Sequence, residues 1–87
     1  MNRVMCAFSI YDRKAQVYLP PFYFSYKGEA TRAFEDICKN RESIISKHPE
    51  DYDLYMIGTF NSDSGALESL GAPEFIMKAT DFNLENK

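Results

Sequence analysis

Ala30, Ala33, Phe34, Ile37 and Cys38 recur at i, i+3, i+4, i+7 and i+8, while Arg32, Glu35, Asp36 and Lys39 take the opposite side. That period describes a helix with one apolar stripe. A lone stripe must be covered, and the period-two segments elsewhere make the cover a sheet face. Gly28 is expected to cap the helix, and Glu29 suits the positive N-terminal end of its dipole. Lys39 and Arg41 suit the other end, near Asn40. Phe34 and Ile37 are expected in the core.

Between Arg3 and Tyr11, Val4, Cys6, Phe8 and Ile10 share one face and Met5, Ala7, Ser9 and Tyr11 the other, which predicts a first strand. Asp12-Arg13-Lys14 reads as a polar turn. Val17 to Tyr26 predicts a second strand, interrupted at Pro20-Pro21 where two ladder donors are missing, so it is an edge or carries a bulge. Ser43 to Ser46 adds a helical turn before Pro49, which discourages helix continuation. A third strand begins near Tyr52, with Leu54, Met56 and Phe60 on one parity and Gly58 between them. Asn61 to Gly65 predicts a hairpin loop and Ala66 to Leu70 its return strand, broken at Gly71 to Pro73. Glu74 to Phe82 stays open between a short strand and irregular packing. The expected fold class is α+β, a small antiparallel sheet of about four strands on one main helix, in the order ββα(α)ββ.

A chain of 87 residues supports one domain, expected over residues 1–82 with a flexible C-terminal tail over 83–87. A domain of this size hides only roughly 60–65% of its unfolded surface, so a homodimer or higher homo-oligomer is expected to assist it. Thirteen aromatics and a hydrophobic fraction of 45% supply a core. Residues 1–47 carry eight basic and five acidic side chains, a balance of +3, whereas residues 48–87 carry two and eight, a balance of −6. That asymmetry either orients the first half on a polyanion or pairs opposite faces between subunits.

Cys6 and Cys38 belong to no C-x-x-C or Cys/His cluster, and the N-terminus shows no secretory leader, which favours buried reduced thiols in a reducing compartment. The longest apolar runs fall far short of a membrane span, so a soluble cytoplasmic protein with no membrane partner is expected.

His48, beside Glu50 and Asp51, formally offers a general base or a metal ligand, against a turn-forming or packing role. A zinc site needs more ligands, and no metal or catalytic residue is expected. Asp51-Tyr52-Asp53 and Asp63-Ser64-Gly65 lack the spacing of a twelve-residue calcium loop. Glycines 28, 58, 65 and 71 form no phosphate cradle, and no cofactor is expected. In Phe22-Tyr23-Phe24-Ser25-Tyr26-Lys27, alternate side chains face opposite sides. With Arg13 and Lys14 in the preceding turn, exposed tyrosines would stack bases while cations hold phosphates; the competing reading is that the rings fill the core.

Tyr11-Asp12-Arg13-Lys14-Ala15, Pro21-Phe22, Lys27-Gly28-Glu29-Ala30-Thr31-Arg32-Ala33-Phe34 and Lys47-His48-Pro49-Glu50-Asp51-Tyr52 occur in that order. In this the chain resembles a small nonstructural protein of the gokushoviruses, members of the Microviridae with circular single-stranded DNA genomes. The resemblance runs from about Tyr11 through Gly65. It implies a protein made in the host bacterial cytoplasm, absent from the mature virion, DNA-binding or replication-associated, and without established catalytic residues. The basic arm of a virion DNA-packaging peptide is missing.

The leading expectation is therefore a non-enzymatic protein that binds DNA, single-stranded above all, during viral genome replication or single-stranded DNA synthesis. Its expected surface is Arg13, Lys14, Lys27 and Arg32 for phosphates, with Tyr11, Tyr23 and Tyr26 for stacking. The alternative is a dimeric adaptor that recruits a viral or host replication protein without touching DNA.

Overall fold

The computed structural model describes residues 3–82; the tail expected over 83–87 lies outside them. Alternating residues from Val4 to Asp12 form the central strand β1. The chain returns along one side of it in two pieces, β2 (Val17–Tyr18) and β3 (Phe22–Phe24), both antiparallel to β1. The single second strand expected there is split because Pro20 and Pro21 lack the N–H groups that would continue the ladder.

Helix α1 spans Lys27–Lys39 and short α2 spans Ile44–Lys47, followed by a 3-10 turn over Pro49–Asp51. Strand β4 (Tyr52–Asn61) lies on the other side of β1, and β5 (Leu67–Lys78) pairs with β4 at the sheet edge. A 3-10 turn over Ala79–Phe82 closes the described chain. All pairings are antiparallel, so the molecule is a mixed α+β fold with helices over one sheet face.

The helix cap falls two residues before the expected Gly28. Tyr26 is the N-cap, because the Glu29 carboxylate reaches back to accept its backbone N–H at 3.1 Å. The C-cap is Asn40. Ser43 caps α2 by accepting from the Ser46 N–H at 3.0 Å, while its own hydroxyl donates to the Ile37 carbonyl at 2.8 Å.

Phe8, Ile10, Ala30, Phe34, Ile45, Tyr52, Leu54, Met56 and Ala79 form the core between sheet and helices. Phe34 is fully buried, with its ring edge-on to Phe82 at 6.3 Å. Ile37, expected to be buried, is only half-buried at the margin of this core.

Irregularities in the pairing of β4 with β1 and with β5 decide which residues face the helices. Ala7 pairs with Gly58 but Phe8 with Met56, so Ile57 is an extra residue in β4. The side-chain alternation therefore reverses there. Leu54 and Met56 face the core, whereas Phe60, expected on their side, is carried to the opposite face beside Met5. Strand β5 also continues through the expected break at Gly71 to Pro73. Gly58 pairs with Ser69 and Met56 with Glu74, leaving Leu70 to Pro73 opposite Ile57 as a long bulge, with Gly71 at φ 90°.

The β4–β5 hairpin forms where Asn61 to Gly65 predicted it. Asn61 Oδ1 accepts from the backbone N–H groups of Asp63 and Ser64, and Gly65 takes a positive φ of 80°.

Candidate nucleic-acid interface

The sheet face opposite the helices is built by register. Cross-strand partners share a face, so Tyr18, Tyr11, Asp53 and Lys78 form one row across β2, β1, β4 and β5. Ser9, Tyr55 and Phe75 form the next row. Ala7 is flanked by Tyr23 and Gly58, and Met5 lies beside Phe60, itself paired with Leu67.

Four rings of this face make a continuous cluster. Tyr11 and Tyr18 lie 4.6 Å apart between ring centroids, Tyr18 and Tyr55 5.7 Å, Tyr11 and Tyr55 6.2 Å, and Tyr55 and Phe75 5.7 Å. Tyr18 is 44% exposed and Phe75 50%. Beneath them Ser9 is fully buried, its hydroxyl donating to the Leu19 carbonyl at 2.7 Å. Burial, with Tyr55 and Tyr11 beside it, pushes the Tyr18 phenol above its ordinary value.

Toward the other end of the face, Tyr23 and Phe60 lie 5.7 Å apart. A groove of about 490 Å³ runs over Ala7 and Gly58, with Tyr23 and Pro21 on one side and Leu67 and Pro73 on the other. Gly58 must be small because a Cβ there would stand 2.3 Å from the Glu68 carbonyl oxygen. The face thus offers flat rings and an apolar groove.

The expected site residues divide between this face and the helices. Tyr11, Tyr23 and Arg13 belong to the open face. Arg13 is spent on its own fold, with Nη1 3.0 Å from Asp53 Oδ2 and its second terminal nitrogen donating to the Glu50 carbonyl. Lys14 lines a cleft with Asp12, His48, Asp51 and Tyr52 at the chain turn beside α2. Tyr26 stands apart at the N-cap, 71% exposed. Lys27 Nζ pairs with Glu74 Oε2 at 2.8 Å, and Arg32 sits on α1 beside Glu29 and Asp36.

Tyr18, Tyr55, Phe75 and Lys78 were missed by sequence reasoning. Tyr55 was visible in principle, since it alternates with Leu54 and Met56; the other three join the face only through strand pairing.

His48, Glu50 and Asp51 each bring a donor atom to within 4.8 Å of the others on the Pro49 turn. His48 and Glu50 are exposed and Asp51 is half-buried, as on a solvated turn. Cys38 lines a separate cleft with Arg41, Pro49 and Phe82; burial, then Glu35, pushes its thiol up to about 11, which makes it a poor nucleophile. Among the described residues no helix is long and apolar enough to cross a membrane.

A family profile described as "Phage ORF5 protein" matches residues 5–82. Protein ORF5 of Chlamydia phage 1, a gokushovirus of the Microviridae, is 36% identical over 88 residues, covering 95% of this chain and 92% of the relative. No solved structure matches.

Proposed function

The chain belongs to the phage ORF5 protein family, and we propose that it is a non-enzymatic, nonstructural phage protein that binds single-stranded DNA during genome replication or single-strand synthesis. It acts in the host bacterial cytoplasm and is left out of the mature virion. The observation that carries this reading is the open sheet face with its Tyr11, Tyr18, Tyr55 and Phe75 cluster. Exposed rings on a sheet, with helices confined to the other side, are the arrangement by which single strands are held through base stacking.

The phosphate contacts are few. Of the cations proposed from sequence, Arg13 is tied to Asp53 and Lys27 to Glu74, while Lys78 joins the aromatic face as the strand partner of Asp53. Stacking is accordingly the larger part of affinity, with a shallow dependence on salt. The test is binding of labelled single- and double-stranded DNA at two salt concentrations, with oligomeric state measured in parallel. Preference for single strands supports the reading; no affinity for either overturns it.

A second reading is favoured by β5. It is an edge strand of 12 residues with Leu67, Leu70 and Phe75 exposed. Such an edge suits pairing with a second copy or with a replication protein, which makes the chain a dimeric adaptor. Capture of a replication protein in the absence of DNA affinity supports that role.

A further inference from the structure

Asp53 is 3% exposed, and its Oδ1 is closed from solvent without a hydrogen-bond partner, while Oδ2 holds the Arg13 guanidinium at 3.0 Å. A buried carboxylate oxygen that accepts nothing requires an explanation, because carboxylates are the strongest acceptors a protein has. Its place suggests one. On the helix-free face Asp53 has Tyr11 as its partner on β1 and Lys78 on β5, and the Tyr11 ring is part of the cluster with Tyr18 and Tyr55. The orphan acceptor therefore adjoins the rings on which a base would stack.

We propose that Asp53 Oδ1 reads the amino edge of a stacked nucleobase, so that the face selects cytosine and adenine over thymine and uracil. The inference rests on the single-strand-binding reading above and adds a base preference to it. An ionised carboxylate only accepts. Cytosine N4 and adenine N6 carry amino donors, whereas thymine and uracil present a carbonyl oxygen at the matching position and set acceptor against acceptor. Because Arg13 engages Oδ2, one oxygen is left, which suits a single amino group rather than the paired donors of guanine. Reaching Oδ1 takes displacement of the side chains that close it from solvent. Lys78, exposed and next to Asp53 by register, brings a cation to the same end of the face for the adjoining phosphate.

Short oligo(dC) and oligo(dU) differ at each base by the amino-for-carbonyl exchange at C4 and the accompanying change of N3 from acceptor to N–H donor, so it is the dependence of their affinity ratio on Asp53, in the intact protein at neutral pH, that isolates the contact. Oligo(dC) should bind about tenfold more tightly. Asp53→Asn should bring the ratio to near one, with circular dichroism checking the fold. Should that variant unfold, Arg13→Gln/Asp53→Asn removes the pair together and leaves no unbalanced buried charge. Equal binding of the two oligonucleotides by the unaltered chain, or an unchanged ratio in a folded variant, overturns the base preference while leaving single-strand binding in place. Failure to bind either oligonucleotide overturns both.

Discussion

Arg13 reaches across the end of the sheet to Asp53, an exposed guanidinium holding a buried carboxylate at 3.0 Å, and its other terminal nitrogen donates to the Glu50 carbonyl. This links the β1–β2 turn to the start of β4, forty residues along the chain. Arg13→Gln should destabilise the fold by roughly 1–3 kcal/mol, below the full cost of breaking a buried pair because Arg13 is half in solvent. Urea denaturation checks it, and restoration of stability by adding Asp53→Asn would identify the stranded carboxylate as the cause.

Phe34→Ala removes the largest helix side chain from the core and leaves a cavity against Phe82. The expected loss is on the order of 3–5 kcal/mol, a large part of the stability of a small domain. A thermal melt superimposable on that of the parent would reject the placement of Phe34.

Gly58→Ala would set a methyl 2.3 Å from the Glu68 carbonyl oxygen and 3.2 Å from its carbon, both backbone atoms that cannot rotate away. The β4–β5 hairpin must shift, at a cost of roughly 1–3 kcal/mol. Gly28→Ala, with nothing within 4 Å of the added carbon, serves as the control and should leave the denaturation midpoint unchanged or raised.

Alkaline pH should weaken the fold through Tyr52 and Cys38, as well as through Tyr18 on the open face. Burial, then the charge and hydrogen bond of Asp12, with Asp51 nearby, hold the Tyr52 phenol above its ordinary value. Burial and Glu35 push the Cys38 thiol up to about 11 from 9.0. Both folded values are raised, so the folded state keeps protons that the unfolded chain releases, and stability declines as pH rises. The Cys38 contribution is intact below pH 9.0 and lost by about 11, and the Tyr52 contribution begins to fall above 10.0. Urea midpoints measured across that window should decline less steeply in Cys38→Ala and in Tyr52→Phe. Alkylation of Cys38 should be slow near neutrality and accelerate through the same range.

Tyr18→Ala should lower single-strand affinity by roughly 1–3 kcal/mol if one base stacks there, with little effect on the salt slope. Replacing Lys78 with Gln should lower affinity and flatten that slope. An undiminished affinity in both variants would move the binding surface elsewhere.

The helix was legible because its stripe is continuous: Ala30 and Phe34 needed no knowledge of partners to be placed in the core. The β4–β5 hairpin was legible from the turn chemistry of Asn61 and Gly65. What escaped was set by pairing between distant segments. Phe60 changes face because Ile57 is inserted opposite an uninterrupted β1, and Phe75 meets Tyr55 only because β5 resumes after a four-residue bulge. Gly71 and Pro73 are strand breakers by local preference, but the long bulge takes them up without ending the strand. The candidate surface was half visible for the same reason. Tyr11, Tyr23 and Arg13 sit on the helix-free face, while Tyr26, Lys27 and Arg32 follow the helix away from it.

The split between β2 and β3 limits how copies of this chain can join. Pro20 and Pro21 offer no N–H to an added strand, and each flanking piece is only two or three residues long. That flank is a poor template, so head-to-tail growth of sheet upon sheet, which needs a receptive edge at both ends, is blocked on one side. The opposite flank, β5, can be used once by a twofold-related copy and is then consumed. Were β5 to pair with a twofold-related copy, the resulting pair would have no second receptive edge through which to grow.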